Sequence, residues 1–191
     1  MAPERTIEAF ADGAAFRSWL EDHHATSAGI WLRIGKKKGG LIAPSHDEAL
    51  DAALAYGWID GQARPGDETY WLQGFSRRTA RSPWSKRNVD NAERLIAAGL
   101  MAPPGQAEVD RAKADGRWGR AYDGQRDIQE PADLLEALAR NPPAAAFYAT
   151  LNRVNRYAIL YRIQDAKRPE TRDRRITRFV DMLARGEKIY N

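Results

Sequence analysis

Cysteine is absent from the 191-residue sequence, and histidine occurs only three times. Without cysteine the chain forms no disulfide, and it offers neither a thiol nucleophile nor a thiolate metal ligand. The histidines, His23, His24 and His46, fall in no spacing such as H-E-x-x-H that places two ligands on one helix face. The sequence therefore predicts no metal site.

Long apolar runs and cofactor fingerprints are also missing. No apolar run approaches the roughly 20 residues that span a bilayer, and Glu4, Glu8 and Asp12 interrupt the first segment in a way unlike a signal peptide. There is no G-x-S-x-G, no dinucleotide fingerprint and no kinase-like set. The lysines of "GKKKGG", residues 35–40, lack phosphate-loop spacing and are typical of a solvated hairpin tip. We expect a cytoplasmic protein without cofactor or membrane insertion.

Positive charge is concentrated near the C-terminus. Residues 151–191 hold eleven lysines and arginines against five acidic residues, a net charge of +6, whereas residues 1–150 carry −2. This asymmetry is compatible with a surface that faces polyanions. It is equally compatible with solvated helices whose charges pair four residues apart.

The spacing of hydrophobic residues differs between the first and second parts of the chain. The strand-like segments "GIWLRI" and "TYWLQGF" alternate with helical segments in the first half, whereas only helical spacing follows residue 130. Residues 117–130 are polar and have no clear period. We therefore predict an α+β fold, with a small, mostly antiparallel sheet and helices over residues 1–116, a linker over 117–130 and an all-helical module over 131–191.

Local signals predict where helices begin and end. The capping-box pattern of Ser45 and Glu48 predicts a helix start, and Gly57 is a natural stop for that helix. Ser82 and Pro83 resemble an N-cap and a first helical residue, so a further helix is predicted from Ser82. The segment "GQARPGDE", residues 61–68, is typical of a turn-rich loop.

A candidate site combines "GWIDGQ", residues 57–62, with "FSRRTARSPWSKRN", residues 75–88. The second segment carries five cations and no acid, and it converges on the predicted helix start, where free N–H groups and the helix dipole favour an anion. Guanidinium groups match phosphate or carboxylate oxygens, and indoles offer a flat wall. The predicted ligand-binding residues are Trp58, Asp60, Arg77, Arg78, Ser82, Trp84, Ser85 and Asn88.

Asp60 admits three roles: an acid/base group, a polar hook for a ligand, or a salt-bridge partner of Arg77 or Arg78. A single carboxylate without a second acid or a metal is weak support for hydrolysis. If the protein is an enzyme, Asp60 is the residue that we expect to be catalytic. Alternatively, the whole cluster is purely structural, a network of arginines, acidic residues and core tryptophans.

Several blocks resemble the bacterial YdeI/OmpD-associated family, whose members are often labelled bacteriocin-protection proteins. These blocks are "GIWL", "EALDAALAYGWIDG", "FSRRTARSPWSKRN", "AERLIAAGLMAPPG" and "RYAILYRIQDAKRPETRDRRI". The resemblance runs from about Phe10 to Gly186, and the C-terminal part is similar to the short helical module that bears the family name. It implies a role in tolerance of cationic peptides or bacteriocins and association with an outer-membrane porin.

Three functional hypotheses follow. The first is a cytoplasmic stress-response protein whose Asp/Arg/Trp pocket binds a small anionic ligand. The second is an enzyme that acts on a phosphorylated or otherwise anionic small molecule through Asp60. The third is an adaptor whose basic C-terminal helices bind a protein or, less in keeping with the interleaved acids, a nucleic acid.

Overall fold

The computed structural model describes residues 5–191 and divides the chain into two compact units, Met1–Ala121 and Tyr122–Asn191. The described part of the first unit contains four strands and four helices, and the second unit contains four helices. In chain order these elements are β1 Thr6–Glu8, α1 Gly13–His23, β2 Ile30–Gly35, α2 His46–Ala55, β3 Trp58–Pro65, β4 Tyr70–Arg77, α3 Lys86–Ala97, α4 Pro103–Ala114, α5 Ala132–Ala139, α6 Pro142–Thr150, α7 Arg153–Gln164 and α8 Pro169–Ala184.

The predicted α+β class is confirmed, and the sheet contains both parallel and antiparallel strand pairs. Its strand order is β1-β2-β4-β3. The β1–β2 pair is parallel, whereas β4 pairs with both β2 and β3 in antiparallel register. The antiparallel β3–β4 pair follows from the short loop, residues 66–69, that joins these two strands.

The first unit buries two apolar clusters. One packs α1 and α2 on the sheet around Phe16, Leu20, Trp58 and Phe75, all fully buried. The other joins α2, α3 and α4 through such residues as Leu54, Trp84, Leu95 and Val109. Helix α2 contributes to both clusters, which is why six of its ten residues are buried.

The second unit has a core of its own. Its four helices pack around a cluster that includes Leu134, Leu138, Ile159, Ile163 and Leu183. The segment predicted as a linker supplies residues to both units: Trp118 packs on the cluster of α2, α3 and α4, and Ile128 packs on the core of α5–α8. The predicted domain boundaries at 116 and 131 stay a prediction.

Two sequence expectations on local structure are wrong. Residues 61–65 continue β3 instead of forming a loop, because a bulge between Asp60 and Ala63 lets the strand stay paired with β4. The buried amide of Gln73 donates to the Gly61 carbonyl at 2.8 Å and so compensates the irregular pairing. Helix α3 begins at Lys86, and its N-cap, Ser85, lies three residues after the predicted N-cap, Ser82.

The capping box of α2 is confirmed and gives a first test. The Ser45 hydroxyl donates to Glu48 Oε2 at 2.7 Å and also accepts from the Glu48 N–H. Ser45→Ala should lower the free energy of unfolding by about 1 kcal/mol at neutral pH. Ser18→Ala, on the exposed face of α1, is the matched control and should change the free energy of unfolding by less than about 0.5 kcal/mol in urea denaturation.

The same variant has a predicted pH dependence. The hydrogen bonds from Ser45 hold the pKa of Glu48 below its ordinary value of 4.5. A lowered carboxyl pKa contributes stability above pH 4.5 that is lost as the pH falls through the folded-state pKa. The difference between wild type and Ser45→Ala should therefore shrink in acid, and a constant difference from pH 7 to acid would contradict this role of Glu48.

Candidate functional site

Gly57 makes the turn that carries the chain from α2 into β3. Its φ of 72° lies in the left-handed region, and an added Cβ would come within 2.9 Å of Glu108 Cγ and 3.0 Å of the Pro104 carbonyl. Both the conformation and the close approach of α4 therefore require glycine here. The Gly57 carbonyl accepts a hydrogen bond from the Arg78 N–H at 3.0 Å, which ties this turn to the end of β4.

Trp58 is a core residue and not the wall of a ligand site. It is fully buried, it packs edge-on against Trp19, and its indole N–H donates to the His24 carbonyl at 3.1 Å. A buried indole whose N–H is satisfied by backbone is the usual structural use of tryptophan. Trp58 therefore fixes the segment around His24 against the sheet.

Asp60 lies beside a histidine that sequence reasoning did not connect with it. Its Oδ2 is 3.5 Å from His46 Nε2, and the His46 ring stacks on Trp71 with centroids 5.8 Å apart. His46 is the first residue of α2, and only the packing of α2 on the sheet brings it to β3. No spacing in the sequence signals this pair.

Arg77 and Arg78, adjacent at the end of β4, occupy different environments. The Arg77 side chain is exposed, and its guanidinium donates to the Ala25 carbonyl at 2.9 Å. Arg78 is only 5% exposed; its Cζ lies 3.6 Å from the centroid of the Trp84 ring, and it donates to the Pro83 carbonyl at 3.1 Å. Alternation along the strand end explains the difference.

The four remaining predicted residues shape the segment between β4 and α3. The Ser82 hydroxyl accepts from the Thr79 N–H, and the Ser85 hydroxyl caps α3 by accepting from the Asn88 N–H. Because Ser82 closes this turn and Trp84 is drawn into the core at 2% exposure, the helix does not start at Pro83. Asn88 is buried at 5% exposure.

A cavity of about 450 Å³ opens between the end of β4, the turn after α2 and the helix α4. Of the eight residues predicted from sequence, only Arg77 and Arg78 line it. The described residues that line it are His24, Ala25, Ala28, Tyr56, Gly57, Arg77, Arg78, Thr79, Pro104, Glu108 and Arg111. His24, Glu108 and Arg111 were missed, since they come from α1 and α4 and have no local motif.

Positive charge dominates this cavity. Three arginines, Arg77, Arg78 and Arg111, and one acidic residue, Glu108, are among the residues that line it. Glu108 is 9% exposed and pairs through Oε1 with Arg111, whose side chain is 45% exposed. One cation is thus neutralised locally, and the net charge of the lining remains positive.

Within residues 5–191, no group of three or more histidine or acidic side chains is placed to hold a metal ion. Across the same residues, no helix is long and apolar enough to cross a membrane.

The contrast between the two arginines gives a second test. Arg78→Ala should lower the free energy of unfolding by about 2–3 kcal/mol, because it removes a desolvated cation–π contact and a charged hydrogen bond. Arg77→Ala should lower it by about 1 kcal/mol or less, since its guanidinium is exposed. Tryptophan fluorescence during urea denaturation reports on the N-terminal unit alone, because all six tryptophans precede Tyr122.

The exposed Arg81, whose side chain has no hydrogen-bond or ion-pair partner among residues 5–191, is the matched control. Arg81→Ala should leave the unfolding free energy within about 0.5 kcal/mol of wild type. An Arg78→Ala protein as stable as Arg81→Ala would contradict the structural role assigned to Arg78.

Known protein families match a large part of each unit. Residues 8–108 match the family described as Domain of unknown function (DUF8412), and residues 127–186 match the family Bacteriocin-protection, YdeI or OmpD-Associated. The resemblance inferred from sequence is thus confirmed for the C-terminal part, whereas the first match assigns residues 8–108 to a different family. No curated protein and no solved structure matches the chain. The first match covers just over half of the 191 residues, so the protein belongs to the DUF8412 family, and its residues 127–186 are similar to the YdeI/OmpD-associated family.

Proposed function

We propose that the N-terminal unit binds a small anionic ligand in the cavity lined by Arg77, Arg78 and Arg111. The observation that carries this proposal is that three arginines, two from the end of β4 and one from α4, line one cavity together with a single acidic residue. Arginine is the side chain best suited to bind phosphate or carboxylate oxygens in pairs.

The three arginines contribute to binding in different ways. Arg78 is held rigidly by Trp84 and the Pro83 carbonyl, so its charge is preorganised at the base of the site. Arg77 and Arg111 have more exposed side chains, which now contact the Ala25 carbonyl and Glu108 and would reorient to bind a ligand. A phosphate or carboxylate would therefore bind directly to Arg77 and Arg111, and the buried charge of Arg78 would add to the positive potential.

The size and walls of the cavity favour an organic anion over a bare ion. A volume of about 450 Å³ lies within the roughly 300–1,000 Å³ that small-molecule sites occupy. The rings of His24 and Tyr56, with centroids 5.4 Å apart, form an aromatic wall beside the arginines. A phosphorylated metabolite or nucleotide fits this combination.

Binding is better supported than catalysis. Asp60, the residue on which the enzymatic alternative depended, does not line the cavity and faces His46 instead. Glu108, the carboxylate that does line it, is engaged by Arg111. Neither acid has the free, ligand-facing position that a general base needs.

The biological setting of this binding is proposed from the family of the C-terminal region. The match to the bacteriocin-protection family supports a role in tolerance of bacteriocins. We propose that this role extends to cationic peptides and belongs to a stress response in the cytoplasm. The adaptor alternative is weaker, because several basic residues of the tail are paired. Arg172 pairs with Asp133, Arg175 with Asp165 and Arg185 with Glu187.

The proposal is tested by anion titration of the full chain, with pyrophosphate as the first probe and a panel of nucleotides and sugar phosphates to follow. Bound anion should stabilise the N-terminal unit in urea, by about 2.7 kcal/mol at a ligand concentration 100 times the Kd. Arg77→Gln combined with Arg111→Gln should weaken binding at least about tenfold, since two charged contacts are lost. Glutamine at 111 retains a donor for Glu108, which protects the fold.

The matched control is Lys38→Gln combined with Arg81→Gln, which removes the same charge from exposed positions outside the cavity. It should bind the probe as wild type does. Equal affinities of the two double variants would refute the site, and absence of stabilisation by any anion of the panel would refute the function.

A further inference from the structure

A second cavity lies within the C-terminal unit, and it shares no lining residue with the proposed anion site. It has a volume of about 480 Å³ and is formed by the segment 125–130 together with α5 and α7. Its lining residues are Gln125, Arg126, Ile128, Gln129, Glu130, Leu135, Arg153, Arg156, Tyr157 and Leu160. From this cavity we propose a second ligand site, for a small amphiphilic anion: a phosphate or carboxylate group attached to an apolar or aromatic body.

Two of its three arginines are exposed and have no partner within the described protein. The guanidinium groups of Arg126 and Arg153 make no hydrogen bond, ion pair or ring contact with any residue of the described chain, 5–191. Arg156 is partly engaged, because it donates to the Ala149 carbonyl at 2.8 Å and lies over the Tyr148 ring. Three like charges around one cavity repel one another unless an anion joins them.

The single carboxylate of the lining does not neutralise these arginines. Glu130 accepts a hydrogen bond from the Tyr148 hydroxyl at 2.9 Å and lies 3.7 Å from Arg156. Burial, reinforced by this hydrogen bond, raises the pKa of Tyr148 well above its ordinary value, so the phenol remains a donor and Glu130 stays in place. Arg126 and Arg153, both exposed, are therefore available to a ligand.

The position of Arg153 strengthens the local positive potential. It is the first residue of the twelve-residue helix α7, whose first turn contains no acidic residue. A cation at this end of a helix is unfavourable, because it opposes the helix dipole. A bound anion would remove this repulsion and that of the neighbouring arginines together.

Part of the remaining lining is apolar and defines the second half of the ligand. Leu135 is 45% exposed, an unusual position for leucine, and it lines the cavity with Ile128 and the buried Leu160. Tyr157 adds a ring whose hydroxyl donates to the Asp123 carbonyl at 3.4 Å. Burial raises the pKa of Tyr157 to about 12, so the ring stays neutral beside the bound anion.

The test uses the full chain, with ¹³C-labelled methyl groups of isoleucine and leucine observed by NMR. Phenyl phosphate is the probe, compared with inorganic phosphate and with phenol. Phenyl phosphate should shift the Ile128 and Leu160 methyl resonances, with a Kd on the order of 1 mM. Each half alone, phosphate or phenol, should bind at least about tenfold more weakly.

Variants locate the site. Arg126→Ala combined with Arg153→Ala should weaken phenyl phosphate about tenfold or more, whereas Arg174→Ala combined with Arg178→Ala, two exposed arginines of α8 outside this cavity, should leave it unchanged. Leu135→Ala should weaken phenyl phosphate several-fold and leave inorganic phosphate unaffected. Arg77→Gln with Arg111→Gln should leave the Ile128 and Leu160 titration unchanged, which separates this site from the proposed anion site.

Three results would overturn the proposal. The first is the absence of methyl shifts up to about 10 mM phenyl phosphate. The second is equal affinity in the Arg126/Arg153 and Arg174/Arg178 double variants. The third is a response of these methyls to vesicles of anionic phospholipid without any response to soluble phenyl phosphate, which would assign the arginines to a membrane surface instead of a small ligand.

Discussion

The packing of the buried Arg78 guanidinium on Trp84 is the interaction on which the architecture of the N-terminal unit depends. A buried charge is tolerated only with close compensation. Here the face of Trp84 lies 3.6 Å from the charge centre, and the Pro83 carbonyl accepts a hydrogen bond. These contacts draw Trp84 into the core and delay the start of α3, while the Arg78 N–H holds the Gly57 turn. The burial of Arg78 thus positions the part of the cavity wall that Gly57 and Arg78 form.

Features whose signals are local were predictable. The capping box of Ser45 and Glu48, and the glycine stop at Gly57, depend on residues three or four positions apart, and both are present in the structure. Ser82 shows the limit of such signals. Ser82–Pro83 and Ser85 are both acceptable helix starts by local rules, and the choice of Ser85 is made by Arg78 and Trp84, which act through tertiary packing.

The candidate site was predictable only where it is contiguous in sequence. Arg77 and Arg78 stand together in an acid-free segment, and both line the cavity. Arg111 and Glu108 lie about 30 residues further along, on a helix whose approach depends on the absence of a side chain at Gly57. The tryptophan and aspartate of "GWIDGQ" were predicted as ligand residues, yet Trp58 serves the core and Asp60 faces His46. Their part in the cavity is indirect, through the placement of the turn.

The central claim is that the end of β4 and helix α4 form one anion site. The most direct measurement is an NMR titration of ¹⁵N-labelled full-length protein with pyrophosphate. We predict that the backbone amides of Gly57 and Thr79 and the side-chain Nε–H groups of Arg77 and Arg111 shift together, with one common Kd. Shifts that leave these four groups unchanged, or that follow different binding constants at Arg77 and Arg111, would contradict it.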